Sequence, residues 1–278
     1  MKTLFFGTSA FAVPSLRVTA ARTHLAGVVT QPDRPAGRGQ RLRASAVKTA
    51  ANEMGLRVFE PPQLRRFAQE MAAESFDLFV LASYGRILPK ELLDLPRLGA
   101  LNVHPSLLPL YRGATPIQSA IANGDHETGV SIMLMDSGLD TGDVVLQEKT
   151  EIEIGETFGQ LHERLARCGA TLLDKALEMA LRGRLVGHPQ TGEASVTRPF
   201  TKADLVVDMS RSPERIVDFV RAFSPQPAAR AMLGGQMVKL LRAHVSPDGT
   251  LEIDELIAPN RGRMSGAQYF ALRRGLED

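Results

Sequence analysis

Short apolar runs alternate along the chain with segments whose apolar residues recur every three or four positions. Residues 4–6, 25–29, 56–59, 77–82 and 100–103 are the runs, and each predicts a buried strand. Residues 10–21, 46–54, 64–74, 89–95 and 115–123 carry the helical spacing. Glycine and proline punctuate the changes: Gly7 stops the first run, Gly55 closes the second helix, and Pro61-Pro62 stops the third run. Strand and helix alternating with short crossovers predict an α/β fold. The expectation is an open, mostly parallel, Rossmann-like sheet with helices on both faces.

From Gly129 the rhythm changes. Residues 130–134 and 144–154 are β-rich and separated by a polar Asp/Gly loop, so later or antiparallel strands are expected there. Residues 158–181 form the longest helical pattern, with Leu161, Leu165, Leu172, Leu173, Ala176 and Met179 mostly on one face. Residues 183–203 are rich in Gly, Pro, Ser and Thr with no sustained period and read as a linker. A strand at 205–208, a helix at 213–222 and short strands near Ala231, 238–243 and 251–257 follow. The reading is a larger domain over 1–182, a linker over 183–203 and a smaller β-rich domain over 204–278.

Composition agrees and narrows the class. A length of 278 residues suits about two domains, and 44% apolar with 23% charged residues is ordinary for a globular protein. No apolar run approaches the ~20 residues of a membrane span. Collagen-like, coiled-coil, disordered and membrane-spanning classes are excluded. The charge balance, 33 basic against 31 acidic residues, is too even for the whole chain to be a nucleic-acid binder. Such a site would have to be a local cluster. Cys168 is the single cysteine, so no internal disulfide forms. The start, Met-Lys-Thr-Leu-Phe-Phe-Gly, lacks the longer apolar run of a signal peptide, and the cytoplasm is the expected compartment.

Common motifs are missing. Gly7-Thr8-Ser9-Ala10-Phe11 sits at a strand-to-helix turn but lacks the second and third glycines of a dinucleotide fingerprint, so a tight first turn is the better reading. One cysteine and six scattered histidines offer no zinc spacing, and no metal is expected. Three clusters remain. Asn102 and His104 are two apart at the end of a predicted strand, and alternation places both on one face. The carboxyl end of a parallel strand is where open α/β sheets bind ligands. An amide donor beside an imidazole suits acyl chemistry, the one for an oxyanion and the other for a proton. A capping Asn and a hydrogen-bonded core His fit the same positions.

The second cluster is Asp136-Ser137-Gly138-Leu139-Asp140-Thr141-Gly142-Asp143, where Asp140 could orient His104; a solvated turn with Asx caps is the competing reading. The third runs from Gln31 to Arg43 and holds Arg34, Arg38, Arg41 and Arg43 against the one aspartate Asp33. It could order on a phosphate backbone, or be an ordinary solvated basic loop.

Asn102-Val103-His104-Pro105-Ser106-Leu107-Leu108-Pro109, followed by Tyr111-Arg112-Gly113, resembles the signature of formyltransferases that use 10-formyltetrahydrofolate. Gly138-Leu139-Asp140-Thr141-Gly142-Asp143 resembles their second signature, in the right order and at the family's spacing. Residues 31–39, Gly113-Ala114-Thr115-Pro116-Ile117-Gln118, Arg221-Ala222-Phe223-Ser224-Pro225 and Asn260-Arg261-Gly262-Arg263-Met264-Ser265 resemble the branch that acts on initiator methionyl-tRNA. The resemblance covers nearly the whole chain. It departs at Ser9-Ala10, where the family usually has Pro-Asp, and in a short C-terminal domain. There the family's five-stranded OB-like barrel lacks about two strands' worth of sequence.

The resemblance implies transfer of a formyl group from 10-formyltetrahydrofolate to the α-amine of methionyl initiator tRNA. Asn102 would donate to the oxyanion, with His104 helping and also handling the proton, and Asp140 would support His104. Ser106, Leu107, Leu108 and Pro109 would line the folate pocket. The loop with Arg34, Arg38 and Arg41 would reach the tRNA acceptor end. A monomer is expected. Two other readings remain: a formyltransferase for a small amine, such as an amino sugar or purine precursor, and a non-catalytic RNA-binding module.

Overall fold

The computed structural model describes residues 1–36 and 41–274. The order begins β1 (Lys2–Gly7), α1 (Ala12–Arg22), β2 (His24–Val29), β3 (Arg34–Ala36), β4 (Arg41–Arg43), α2 (Ala46–Glu53), β5 (Val58–Phe59), α3 (Leu64–Met71) and β6 (Leu78–Ala82). It continues with α4 (Lys90–Leu93), β7 (Ala100–His104), β8 (Arg112–Gly113), α5 (Pro116–Ala122), β9 (Glu127–Leu134), β10 (Val144–Glu151), α6 (Phe158–Leu181) and β11 (Val196–Thr197). A 3-10 turn at Ala203–Leu205 leads to α7 (Pro213–Phe223), β12 (Ala229–Leu233), β13 (Gln236–Val245), β14 (Leu251–Ala258), β15 (Gly262–Ser265) and α8 (Gly266–Arg274).

The chain forms two compact units. One comprises Met1–Gly113, Gly129–Lys149 and Glu163–Val196; the other comprises Ala114–Thr128, Thr150–His162 and Thr197–Asp278.

The first unit is built on a sheet ordered β10-β9-β7-β6-β1-β2-β5. β5, β2, β1, β6 and β7 pair in parallel, each with the next, and β9 joins antiparallel to β7 with His104 opposite Ser131. This is the open, mostly parallel sheet with helices on both faces that the alternating pattern predicts. β6 and residues 4–6 of β1 are apolar because both faces of the sheet are covered there; Phe5, Phe6, Phe79 and Val80 have no exposed surface. Phe6 packs on Phe79 and edge-on to Tyr84, with ring centroids 5.2 and 5.6 Å apart. The strand order reverses at β1, so the ends of β1 and β6 flank a crevice of the kind where such sheets bind ligands.

The longest helix matches its predicted bounds. Thr157 starts it: its N–H and hydroxyl both donate to Gln160 Oε1, at 2.9 and 2.8 Å. Leu161, Leu165, Leu172, Leu173 and Ala176 are buried along it, as the periodicity requires. Within it Gly169 lies so close to β7 that a Cβ there would stand 2.7 Å from Val103 Cγ1. The helix therefore backs the strand that carries Asn102 and His104.

The second unit holds an antiparallel sheet ordered β12-β13-β14-β15. The β12–β13 hairpin turns on Gly234-Gly235, both with positive φ, the requirement of a two-residue type I′ turn. Among the described residues no pairing closes β12 onto β15, so this small antiparallel sheet is open where an OB-like barrel was expected. α7 is amphipathic, burying Ile216, Val220 and Phe223. Tyr269 of α8 is buried and donates its hydroxyl to the Leu233 carbonyl at 2.8 Å.

Several expectations are corrected. Residues 34–36 and 41–43, expected as loop, pair as antiparallel strands with Arg34 opposite Arg43. The strand expected at 205–208 is absent. Asp204 instead accepts the Thr201 N–H and hydroxyl, both at 2.7 Å, and the Arg198 guanidinium. Those bonds fold the chain into a turn that competes with a ladder. Only Val206 bridges to Arg230. The pattern missed β15 and α8. Their junction carries a capping box, with Gln268 N–H donating to Ser265 Oγ and Ser265 N–H to Gln268 Oε1, at 3.2 and 3.1 Å. Residues 183–203, expected as a linker, include β11 and His188, which exchanges two 2.9 Å backbone bonds with Val144.

Candidate active site

β7 delivers the first two residues. Alternation turns Leu101 and Val103 to one face and Asn102 and His104 to the other, at the carboxyl end of the strand. Pro105 ends the strand, and the chain turns back over it. His104 is almost fully buried, its side chain 5% exposed, and Asp140 is 13% exposed.

The three candidate residues come together. Asp140 Oδ2 lies 3.6 Å from His104 Nδ1. Asp140 Oδ1 accepts from Asn102 Nδ2 at 3.3 Å, and Oδ2 accepts the Gly113 N–H at 2.8 Å. The other imidazole nitrogen, His104 Nε2, lies 2.9 Å from the Tyr111 carbonyl oxygen. A carbonyl oxygen only accepts, so Nε2 carries a hydrogen. The tautomer is therefore set by backbone, and the nitrogen open to take a further proton is Nδ1, the one facing Asp140.

Asp140 holds this place through its own loop. Its φ is 52°, in the left-handed region that Asp tolerates better than most residues. Asp136 shapes the turn before it, accepting from Gly138 N–H at 2.9 Å and from the Thr141 hydroxyl at 2.7 Å. Asx capping thus describes Asp136, while Asp140 points at His104. Gly142 follows, where a Cβ would meet the Leu134 carbonyl oxygen at 1.8 Å, so no larger residue fits.

The segment predicted to meet folate wraps the same strand end. Ser106 and Leu108 are buried, while Leu107 and Pro109 are half-buried. Ser106 Oγ donates to the Leu110 carbonyl at 2.6 Å. Ser131 braces the segment from β9: its Oγ accepts the Leu108 N–H at 3.2 Å and donates to the Ser106 carbonyl at 2.7 Å. Gln147 of β10 donates to the Leu108 carbonyl at 3.1 Å and to Ser131 Oγ at 2.8 Å. At the end of β1, Ser9 Oγ donates to Ser83 Oγ at 2.7 Å, and Thr8 Oγ1 to the Tyr84 carbonyl at 2.8 Å. Of the arginines, Arg38 lies outside the described residues, and Arg34 and Arg41 lie on β3 and β4.

Sequence reasoning missed the braces. Ser131 leaves a signal, a lone hydroxyl inside an apolar strand. Gln190 and Ser195 leave none, because they sit in the segment without period. Ser195 Oγ accepts the Tyr111 N–H at 2.7 Å. Gln190 donates to the carbonyls of Asp140 and Gly142, both at 2.8 Å, and accepts from Arg112. Among the described residues no three His, Cys, Asp or Glu side chains are grouped to hold a metal ion, and no helix is long and apolar enough to cross a membrane.

Comparison with known proteins gives this site a family. Residues 1–177 match the formyl transferase family and residues 199–252 its C-terminal domain. A methionyl-tRNA formyltransferase of Marinobacter nauticus is 43% identical over 254 residues, covering 90% of this chain and 82% of the relative. Another, from Methylibium petroleiphilum, is 40% identical across 100% of this chain and 98% of its own length. Among solved structures, the methionyl-tRNA formyltransferase of Clostridium thermocellum has a TM-score of 0.61 at 18% identity, covering 93% of this chain and 100% of that one. HypX of Aquifex aeolicus, solved with tetrahydrofolic acid, has a TM-score of 0.69 at 18% identity over 98% of this chain, which spans 47% of HypX. The chain belongs to the formyl transferase family, on the branch of the methionyl-tRNA formyltransferases.

Proposed function

We propose that Asn102, His104 and Asp140 are the transfer centre of an enzyme that moves a formyl group from 10-formyltetrahydrofolate to the α-amine of methionyl initiator tRNA. The observation that carries this is their convergence at the carboxyl end of β7, with Asp140 3.6 Å from His104 Nδ1 and hydrogen-bonded to Asn102. The names of the relatives support the tRNA substrate, and a folate donor is common to the family.

The neutral amine attacks the formyl carbon, and the carbonyl oxygen becomes an oxyanion. Asn102 gives one amide hydrogen to Asp140 and has a second for that oxyanion. The amine proton passes to His104 Nδ1, where the carboxylate of Asp140 faces the imidazolium. Collapse of the tetrahedral intermediate breaks the bond to folate N10, and His104 returns the proton to that nitrogen. No metal is needed for these steps. Leu107 and Pro109 offer surface to the folate, while Ser106 and Leu108 hold the segment in shape. Arg34, Arg38 and Arg41 reach the tRNA acceptor end. The division of labour is chemistry in residues 1–182 and a supporting β domain over 204–278, in a cytoplasmic monomer, with the segment 183–203 between them also bracing the site through Gln190 and Ser195.

The test is a formyl-transfer assay with 10-formyltetrahydrofolate and charged initiator tRNA, with uncharged tRNA and small amines as controls. Transfer to methionyl-tRNA alone is expected. Transfer to an amino sugar or purine precursor instead would overturn the tRNA substrate, and RNA binding without turnover on any amine would overturn the chemistry.

A further inference from the structure

We infer that Gln190 is a positioning residue for the transfer step, acting through Asp140. The inference rests on the roles proposed for Asn102, His104 and Asp140. Its amide orientation is fixed by its partners. The carbonyls of Asp140 and Gly142 only accept, so Nε2 faces them, at 2.8 Å each. The guanidinium of Arg112 only donates, so Oε1 faces it, at 3.1 Å from Nε and 2.7 Å from a terminal nitrogen.

What the two ends hold matters more than the bonds themselves. Arg112 stands between Tyr111, whose carbonyl takes His104 Nε2–H, and Gly113, whose N–H binds Asp140 Oδ2. The other end of Gln190 grips the backbone of Asp140 itself and of buried Gly142. One side chain therefore ties the segment that fixes the imidazole to the turn that carries the carboxylate. Gln190 touches none of the groups given a chemical step. Its effect falls on the separation of Asp140 from His104 Nδ1. Displacement of such a group by about 1 Å is enough to slow a reaction roughly 100-fold.

Two variants separate the contacts. Gln190→Leu removes both ends of the tie. Gln190→Glu keeps an acceptor for Arg112 and removes the donors to the two carbonyls. In both, kcat is expected to fall roughly 10- to 100-fold, with KM for folate and for methionyl-tRNA within about twofold and thermal stability nearly unchanged. In an Asp140→Asn background, Gln190→Leu is expected to cost less than about twofold more, because the two act as one unit. Wild-type kcat in Gln190→Glu would overturn the inference, as would losses that multiply with Asp140→Asn. Failure of both variants to fold, or a fall in kcat that follows lost stability, would overturn it in favour of a purely structural role. Absence of transfer by the unaltered chain would instead sink the transfer centre itself.

Discussion

Asp140 and His104 stand 3.6 Å apart, carboxylate oxygen to Nδ1, while the carboxylate spends its hydrogen bonds on Asn102 and Gly113. Asp140 therefore does not set the imidazole tautomer; the Tyr111 carbonyl does, from the other nitrogen. What Asp140 contributes to the pair is a fixed negative charge beside the nitrogen that takes the proton. Asp140→Asn keeps an oxygen for the Gly113 N–H and removes that charge. The expected outcome is a fall in kcat of about 100-fold with folate affinity retained. Steady-state kinetics and folate titration check it, and an unchanged kcat would show that the charge has no part in the step.

Asn102 and His104 are separable by their roles. Removing one oxyanion donor typically lowers the rate roughly 10²–10³-fold, which is the expectation for Asn102→Ala. His104→Ala is expected to lose turnover while folate still binds, because the folate segment is braced by Ser131 and Gln147 rather than by the imidazole. Equilibrium dialysis with folate, beside the transfer assay, distinguishes lost chemistry from lost binding.

Gly169 supports the site from behind. A Cβ there would meet Val103 Cγ1 at 2.7 Å, closer than carbon atoms pack. Gly169→Ala must push α6 from β7 or force Val103 off its rotamer. Such overpacking costs about 1–3 kcal/mol. Denaturant unfolding is expected to show that loss, and kcat is expected to fall with it because β7 carries His104. Stability equal to or above the unaltered chain would mean that the helix has room at this point.

The sheet and the longest helix were legible because each follows from a period or a punctuation. The apolar runs of β1 and β6 are buried on both faces, and two-residue alternation alone placed Asn102 with His104. Asp140 was legible from its resemblance to a signature, while spacing alone favoured an Asx turn, which Asp136 indeed makes. Gln190 and Ser195 were not legible. They act through a segment with no periodicity, and the backbone groups they hold lie 48 to 84 positions away. The short strand expected at 205–208 failed for a local reason: Asp204 spends its carboxylate on Thr201 and Arg198.

Arg38 lies outside the described residues, in the stretch of sequence between β3 and β4. If it meets a tRNA phosphate, Arg38→Ala should raise KM for charged tRNA and leave kcat and the folate KM unchanged. The dependence of log KM on log salt should also flatten, by roughly one unit for one lost phosphate contact. Kinetics at several salt concentrations check this. An unchanged KM at each of them would remove Arg38 from the tRNA surface.

Cys168, the single thiol, is expected to be slow to alkylate. Burial first, and then the Glu148 carboxylate 3.6 Å from its sulfur, push its pKa up to about 11. The thiolate is the nucleophile, so a thiol raised from 9 to about 11 has on the order of 100-fold less of it at pH 8. The alkylation rate should climb about tenfold per pH unit through pH 10, where an ordinary thiol has already levelled off. Glu148→Gln removes the smaller cause and leaves the burial, so it should speed alkylation at pH 8 only in part. A rate that levels off near pH 9 in the folded protein would show that neither burial nor Glu148 governs this thiol.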